Sequence, residues 1–87
     1  MHEFSLIADF MKKIEGIVRK ENAERVVSVS VRLGALSHIS PDHFREHFIM
    51  AAQGTSADGA QLEINVSADV TDPNAQDILL ESVEVEA

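Results

Sequence analysis

The hydrophobic positions of the first twenty residues recur at helical spacing. Apolar side chains occur three and four positions apart, at Ile7, Phe10, Met11, Ile14, Ile17 and Val18. This spacing predicts a helix over residues 4–20 with one apolar face. Arg19 and Lys20 suit the negative end of its dipole, whereas Gly16 weakens the helix unless it allows close packing.

Two later segments show the alternation that is typical of strands. Between residues 25 and 33, apolar positions alternate with serine and arginine, at Val27, Val29, Val31 and Leu33. Leu62, Ile64 and Val66 alternate with polar residues in the same way. Period-two patterns rich in β-branched residues predict strands with one buried face.

The last predicted strand covers residues 77–86, after a loop at 69–76. Its apolar positions change phase midway, from Ile78 and Leu80 to Val83 and Val85. The phase change predicts either a β-bulge near residues 81–82 or a strand start that is buried on both faces.

A second helix is predicted to begin at Ser40 and Pro41. Serine is a favourable N-cap, and proline is tolerated at the first helical position because its missing N–H has no partner there. The helix runs from residue 42 to about residue 53, and Gly54 is suited to its C-terminal end. Its inner face is formed by Phe44, Phe48, Ala51 and Ala52.

These elements follow the order α-β-α-β-β. We predict an α+β fold in which two helices pack on one face of a three-stranded mixed sheet, since that arrangement buries every apolar stripe. The 87 residues are enough for one compact core, so we expect residues 1–87 to form a single domain.

The composition excludes several classes of function. Cysteine is absent, which excludes disulfides, thiolate zinc sites, iron–sulfur clusters and cysteine nucleophiles. The net charge of −8 opposes binding to nucleic acid or anionic membranes. Residues 46–87 hold nine acidic residues and no lysine or arginine. That asymmetry favours either a solvated acidic surface or the attraction of a basic partner or a cation.

No group of residues resembles a catalytic site, and we therefore expect the protein not to be an enzyme. Glu3 and Asp9 do not fit the basic and apolar regions of an export signal. No segment reaches the ~18 apolar residues of a membrane-spanning helix. We expect a cytoplasmic protein.

Two sets of residues are candidate metal ligands. The first is Met1, His2 and Glu3, where the α-amine, the imidazole and the amide nitrogens of the second and third residues lie within reach of one ion. Ni²⁺ and Cu²⁺ favour planar, nitrogen-rich donor sets of this kind. The spacing alone leaves open a terminus that binds no metal.

The second candidate set is His43 and His47, four positions apart and therefore on one face of the second helix. That spacing suits two imidazoles on one metal ion, but it is equally compatible with two solvated helical histidines. His38 adds a ligand only if the connection before the helix folds back.

Several segments resemble the HypA/HybF family of nickel metallochaperones, and together they span nearly the whole chain in the right order. They are residues 1–6 (MHEFSL), 31–37 (VRLGALS), 40–44 (SPDHF), 54–55 (GT), 59–64 (GAQLEI) and 80–86 (LESVEVE). The resemblance implies a nickel domain of two helices and a three-stranded mixed sheet. It also implies delivery of Ni²⁺ during the maturation of nickel–iron hydrogenase, and in some bacteria urease.

The family's nickel site is its N-terminal Met-His-Glu, which corresponds to Met1, His2 and Glu3. The implied partners are a maturation GTPase, the hydrogenase large subunit, or both. His43 and His47 gain no support as metal ligands from the family pattern.

The chain departs from the family pattern at one place. The family inserts a zinc domain with two cysteine pairs between the last two strands, where this chain has only the loop at 69–76 and no cysteine. A tetrahedral thiolate zinc site is therefore impossible and no zinc is expected. The loss puts in doubt any role of that domain in partner recognition.

Two functional hypotheses follow. The first is a minimal nickel-binding metallochaperone module that delivers Ni²⁺. The alternative is a derivative of the same family that binds a protein partner without metal. The edges of a three-stranded sheet also leave a homodimer open.

Overall fold

The computed structural model describes the backbone of residues 3–87 and the side chains of residues 6–87. Its five elements follow the predicted α-β-α-β-β order. They are α1 (Glu3–Lys20), β1 (Arg25–Leu33), α2 (Pro41–Ala52), β2 (Gln61–Val66) and β3 (Ile78–Glu86). Each predicted helix and strand is therefore confirmed, and its boundaries lie within one residue of the predicted ones.

Strand β1 is the centre of the sheet. It pairs in parallel with β2 and antiparallel with β3, and the strand order is β2-β1-β3. Parallel neighbours need a crossover connection, which α2 supplies. Both helices cover the same face, because their apolar stripes and the inward side chains of β1 form one core cluster. The predicted α+β architecture with a mixed sheet is confirmed.

The buried face of β1 differs from the prediction near the start of the strand. Val26 is buried and Val27 is not, whereas Val29, Val31 and Leu33 are buried as expected. The pairing with β3 shifts register between Val26 and Ser28. One extra residue in β1 at this bulge reverses the inward and outward alternation, which is why Val27 was assigned to the wrong face.

The bulge predicted in β3 is confirmed. Ser30 pairs with Ser82 and Val31 pairs with Leu80, so Glu81 is the extra residue. The prediction that Val66 lies on the buried face is wrong, since it is 60% exposed. Val66 is the last residue of β2, an edge strand with a neighbour on one side only.

The edge strand β2 also receives a hydrogen bond from α2. The Arg45 guanidinium donates through Nη1 to the main-chain carbonyl of Leu62 at 3.0 Å. The side chain thus occupies a main-chain acceptor of the edge strand and ties it to the helix above.

The loop between β2 and β3 is fixed by internal turns. Asp69 accepts hydrogen bonds from the hydroxyl and the N–H of Thr71, and these bonds hold the pKa of Asp69 below its usual value. Asp72 accepts from the N–H of Asn74 in the same manner. Such Asx turns order a loop without a core of its own.

The end of this loop packs directly on Gly34. Ala75 is buried, its carbonyl accepts the Leu36 N–H at 2.7 Å, and the Gly34 N–H donates to the Asp77 carbonyl at 2.9 Å. A Cβ atom on Gly34 would lie 2.2 Å from the Ala75 carbonyl oxygen. Only glycine permits so close an approach of two backbones.

Within residues 3–87, none of the helices is both long enough and apolar enough to cross a membrane.

Two glycine-to-alanine substitutions should change stability in opposite directions. Gly34→Ala forces the Ala75 backbone to move, and we expect it to lower the free energy of unfolding by about 1–3 kcal/mol. Gly16→Ala meets no atom within 4 Å and should raise it by about 0.5–1 kcal/mol, because glycine is a poor residue inside a helix. Urea unfolding followed by circular dichroism measures both. Equal effects of the two substitutions would contradict the packing described for Gly34.

Candidate metal-binding residues

The predicted nickel ligands lie at the edge of what the structure describes. Met1 and His2 lie outside the described residues, and Glu3 is described only as the first residue of α1. The assignment of these three residues as ligands therefore stays a prediction. The residues that follow them are described and define the setting of the N-terminus.

The helix that follows the predicted ligands is held firmly by the core. Ile7 and Phe10 are each 4% exposed. The rings of Phe10 and Phe44 meet edge to face, with centroids 5.8 Å apart and an interplanar angle of 86°. Edge-to-face pairs of this kind contribute about 0.5–1.5 kcal/mol beyond burial. The early turns of α1 are thereby fixed against α2.

The acidic side chains near the start of α1 favour a cation, whereas the helix dipole opposes one. Up to Met11, the charged side chains in the sequence are Glu3 and Asp9, and the first lysine is Lys12. The first amides of a helix have no intrahelical acceptor, so they are available for other bonds. The positive end of the helix dipole opposes a cation there by about 0.3–1 kcal/mol.

The second candidate pair, His43 and His47, lies one turn apart on α2. Their rings are stacked, with centroids 4.6 Å apart and an interplanar angle of 8°. His43 is exposed and His47 is half-buried, beside Phe44 and Phe48 in the core. The pair therefore lies at the edge of the buried stripe.

The described residues do not add a third ligand to this pair. His38 is exposed in the connection before α2, with a backbone φ of 62°. Among residues 6–87, whose side chains are described, no group of three or more histidine or acidic side chains is placed to hold a metal ion. His38 and the pair on α2 are thus not brought together into one cluster.

Helix α2 begins as predicted. Ser40 is the N-cap, and its hydroxyl accepts the His43 N–H at 3.1 Å. Pro41 is the first helical residue and Asp42 lies in the first turn, where a carboxylate complements the helix dipole. The cap fixes where the helix starts and therefore which face carries the two histidines.

A polar network on the uncovered face of the sheet was not predicted. The Arg32 guanidinium lies 3.1 Å from the Glu81 carboxylate, which also accepts from the Asn65 side-chain amide at 3.0 Å. The Ser28 hydroxyl donates to Glu84 at 3.0 Å. The bulge places Glu81 on this face. The change of phase of the apolar positions in β3 was the only feature of the sequence that indicated this placement.

Comparisons with known proteins identify relatives of the chain. Residues 1–72 match a family model described as "Hydrogenase/urease nickel incorporation, metallochaperone, hypA". The chain is 41% identical over 66 residues to the hydrogenase maturation factor HypA of Methylocella silvestris, covering 76% of this chain and 58% of that protein. It is 35% identical over 66 residues to the corresponding factor of Methanopyrus kandleri, covering 76% of this chain and 46% of that protein. The chain thus spans about half the length of these relatives.

A solved structure shows the same fold. The solution structure of the Ni metallochaperone HypA from Helicobacter pylori superposes with a TM-score of 0.81 at 18% identity, covering 100% of this chain and 99% of that chain. The structural likeness extends through β3, whereas the family-model match ends at residue 72.

Removing the N-cap of α2 should destabilise the protein measurably. Ser40→Ala leaves the His43 N–H without its partner, and we expect the free energy of unfolding to fall by about 1 kcal/mol. Ser40→Asp keeps a capping oxygen and should retain most of the stability. Thermal unfolding of both variants against the wild type measures the difference. A loss of the same size for both variants would show that the cap hydrogen bond is not the cause.

Proposed function

Because the chain belongs to the HypA family of hydrogenase and urease nickel-incorporation metallochaperones, we propose that it binds Ni²⁺ and delivers it during the maturation of nickel–iron hydrogenase. The proposed ligands are Met1, His2 and Glu3. The observation that carries the proposal is the family-model match, which runs over residues 1–72 and so includes these three residues.

The chemistry of the three residues suits the proposed cargo. The α-amine, the His2 imidazole and the amide nitrogens of residues 2 and 3 are donors that Ni²⁺ prefers in a plane. Deprotonation of the amides would cancel the charge of the metal and remove most of the opposition from the helix dipole. The negative side chains of Glu3 and Asp9 further favour a cation at this end of α1.

A terminal site also suits a carrier. A metal that must be transferred has to be reached by the ligands of the acceptor, and the first residues of a chain offer that access. Nickel is here a cargo that binds reversibly. Protons compete with it for the amine and the imidazole, so affinity depends on pH.

We further propose that the loop at 69–76 takes the place of the family's zinc domain in a single domain spanning residues 1–87. Cysteine is absent from the chain, and the family-model match ends within this loop. The Asx turns at Asp69 and Asp72 and the contact of Ala75 with Gly34 support a loop that closes the sheet without an inserted domain.

The proposed partners are a maturation GTPase, the hydrogenase large subunit, or both. The proposal rests on the family, in which the relatives carry the name hydrogenase maturation factor.

Nickel binding should depend on His2 and on a free terminal amine. We expect the untagged protein to bind one Ni²⁺ with an absorption band of planar nickel, and His2→Ala to lose both. Acetylation of the terminal amine removes that nitrogen as a donor and should have the same effect. Calorimetry combined with visible absorption measures stoichiometry and geometry together.

The control for this experiment is the double substitution His43→Ala with His47→Ala, which should leave nickel binding unchanged. Loss of binding in this control with retention in His2→Ala would move the site to α2. No binding by the wild type would favour a module that binds a protein partner without metal.

Nickel affinity should fall steeply with pH. An α-amine and an imidazole ordinarily hold their protons below about pH 7.7 and pH 6.5. Both protons must leave before the metal binds, so these two groups alone should lower the affinity by roughly a thousandfold between pH 8 and pH 5.5. Release of the two amide protons makes the dependence steeper still. Competition with a chromophoric chelator of known nickel affinity measures this dependence. A flat profile over the same range would rule out the amine and the imidazole as ligands.

A further inference from the structure

A groove of about 450 Å³ lies between the C-terminal half of α1 and the start of β3. Its helical wall consists of Lys13, Gly16, Ile17 and Lys20, and residues 78–80 line the other side. The four positions on α1 recur at spacings of three, one and three, so they form one face of the helix. We call this feature the α1–β3 groove.

The middle of the α1–β3 groove is apolar. Ile17 and residues 78–80 (Ile-Leu-Leu) are half-buried, so part of their surface remains in contact with solvent. Gly16 borders the open part of the groove, because a Cβ atom there would meet no other atom within 4 Å. A glycine inside a helix is unfavourable by about 1 kcal/mol relative to alanine, and here it leaves room beside α1.

The two ends of the groove are positive. Lys13 and Lys20 are both exposed, and the two ion pairs found within the described part of the chain involve Arg25 and Arg32 instead. Four of the seven basic residues of this acidic chain lie on α1. The nearest glutamate of β3 in sequence, Glu81, is bonded to Arg32 and Asn65 on the opposite face of the sheet.

Strand β3 forms the edge of the sheet beside this groove. It has a neighbour, β1, on one side only. Residues 78–80 pair with residues 31–33 in regular register before the bulge at Glu81. Such an edge can accept an extended segment of another chain through its main chain.

We propose that the α1–β3 groove binds an extended segment of a partner protein that carries two carboxylates four positions apart with an apolar residue midway between them. Lys13 and Lys20 are seven residues apart, which corresponds to about 10 Å along a helix. Four residues of an extended chain cover about 13 Å and place the first, third and fifth side chains on one face, and the long flexible lysine side chains take up the difference. Each carboxylate then meets one lysine while the apolar side chain lies over Ile17 beside Gly16.

This inference does not depend on nickel binding, and the charge of the groove selects the partner. The occupant has to be acidic, whereas most of the surface of this chain would repel an acidic segment because its net charge is −8. Binding is therefore confined to the place where the lysines lie.

The test uses the full chain labelled with ¹⁵N and a capped hexapeptide, Thr-Glu-Thr-Leu-Thr-Glu, as the probe. We expect saturable chemical-shift changes centred on the amides of Gly16, Ile17, Leu79 and Leu80. The double substitution Lys13→Glu with Lys20→Glu should weaken binding at least tenfold. Lys12→Glu with Arg19→Glu makes the same change in net charge at the same spacing outside the groove, and it should leave binding within about twofold of the wild type.

Four outcomes would overturn the proposal. One is equal weakening by the two double substitutions, which would indicate a general effect of charge. A second is equal binding of a peptide with lysines in place of both glutamates, and a third is no shift at these amides at millimolar peptide. The fourth is a set of shifts at the same amides that depends on protein concentration without peptide, which would make a second copy of this chain the occupant.

Discussion

The close contact between Gly34 and the carbonyl group of Ala75 is the constraint on which the rest of the sheet depends. It joins the end of the central strand to the loop that delivers β3, through two main-chain hydrogen bonds formed by Gly34 and Leu36. Since β1 supplies most of the buried strand residues, the face that both helices cover is complete only when β3 is in register beside it. A side chain at Gly34 would separate the two strands where their pairing starts.

The order and type of the elements could be predicted because each is recorded in the local period of hydrophobic positions. The bulge at Glu81 could be predicted for the same reason, as the apolar phase changes within one segment. Val27 could not be assigned correctly, because its neighbours in sequence are all valine or serine and the register shift is set by the partner strand. Val66 was misassigned since exposure at the end of an edge strand depends on what covers it, which is not a local property.

The candidate sites show the same difference between features set by local sequence and features set by tertiary structure. The nickel ligands were inferred from three consecutive residues and from a resemblance, so their prediction needed no tertiary structure. The shared face of His43 and His47 followed from their spacing, but the parallel stacking of their rings did not. The α1–β3 groove could not be predicted, because it combines residues more than fifty positions apart. From the sequence alone, Gly16 indicated only a local loss of helix stability.

The hydrogen bond from Arg45 to the Leu62 carbonyl makes the two edges of the sheet unequal. A strand approaching β2 has to displace a guanidinium from the main chain, whereas within residues 6–87 no guanidinium is bonded to the main chain at the start of β3. Edge-to-edge pairing of sheets can continue without limit only if every molecule offers two open edges, one for each neighbour. A molecule with one open edge can pair in this way with only one other copy. The fold thus combines a receptive edge with protection against polymerisation.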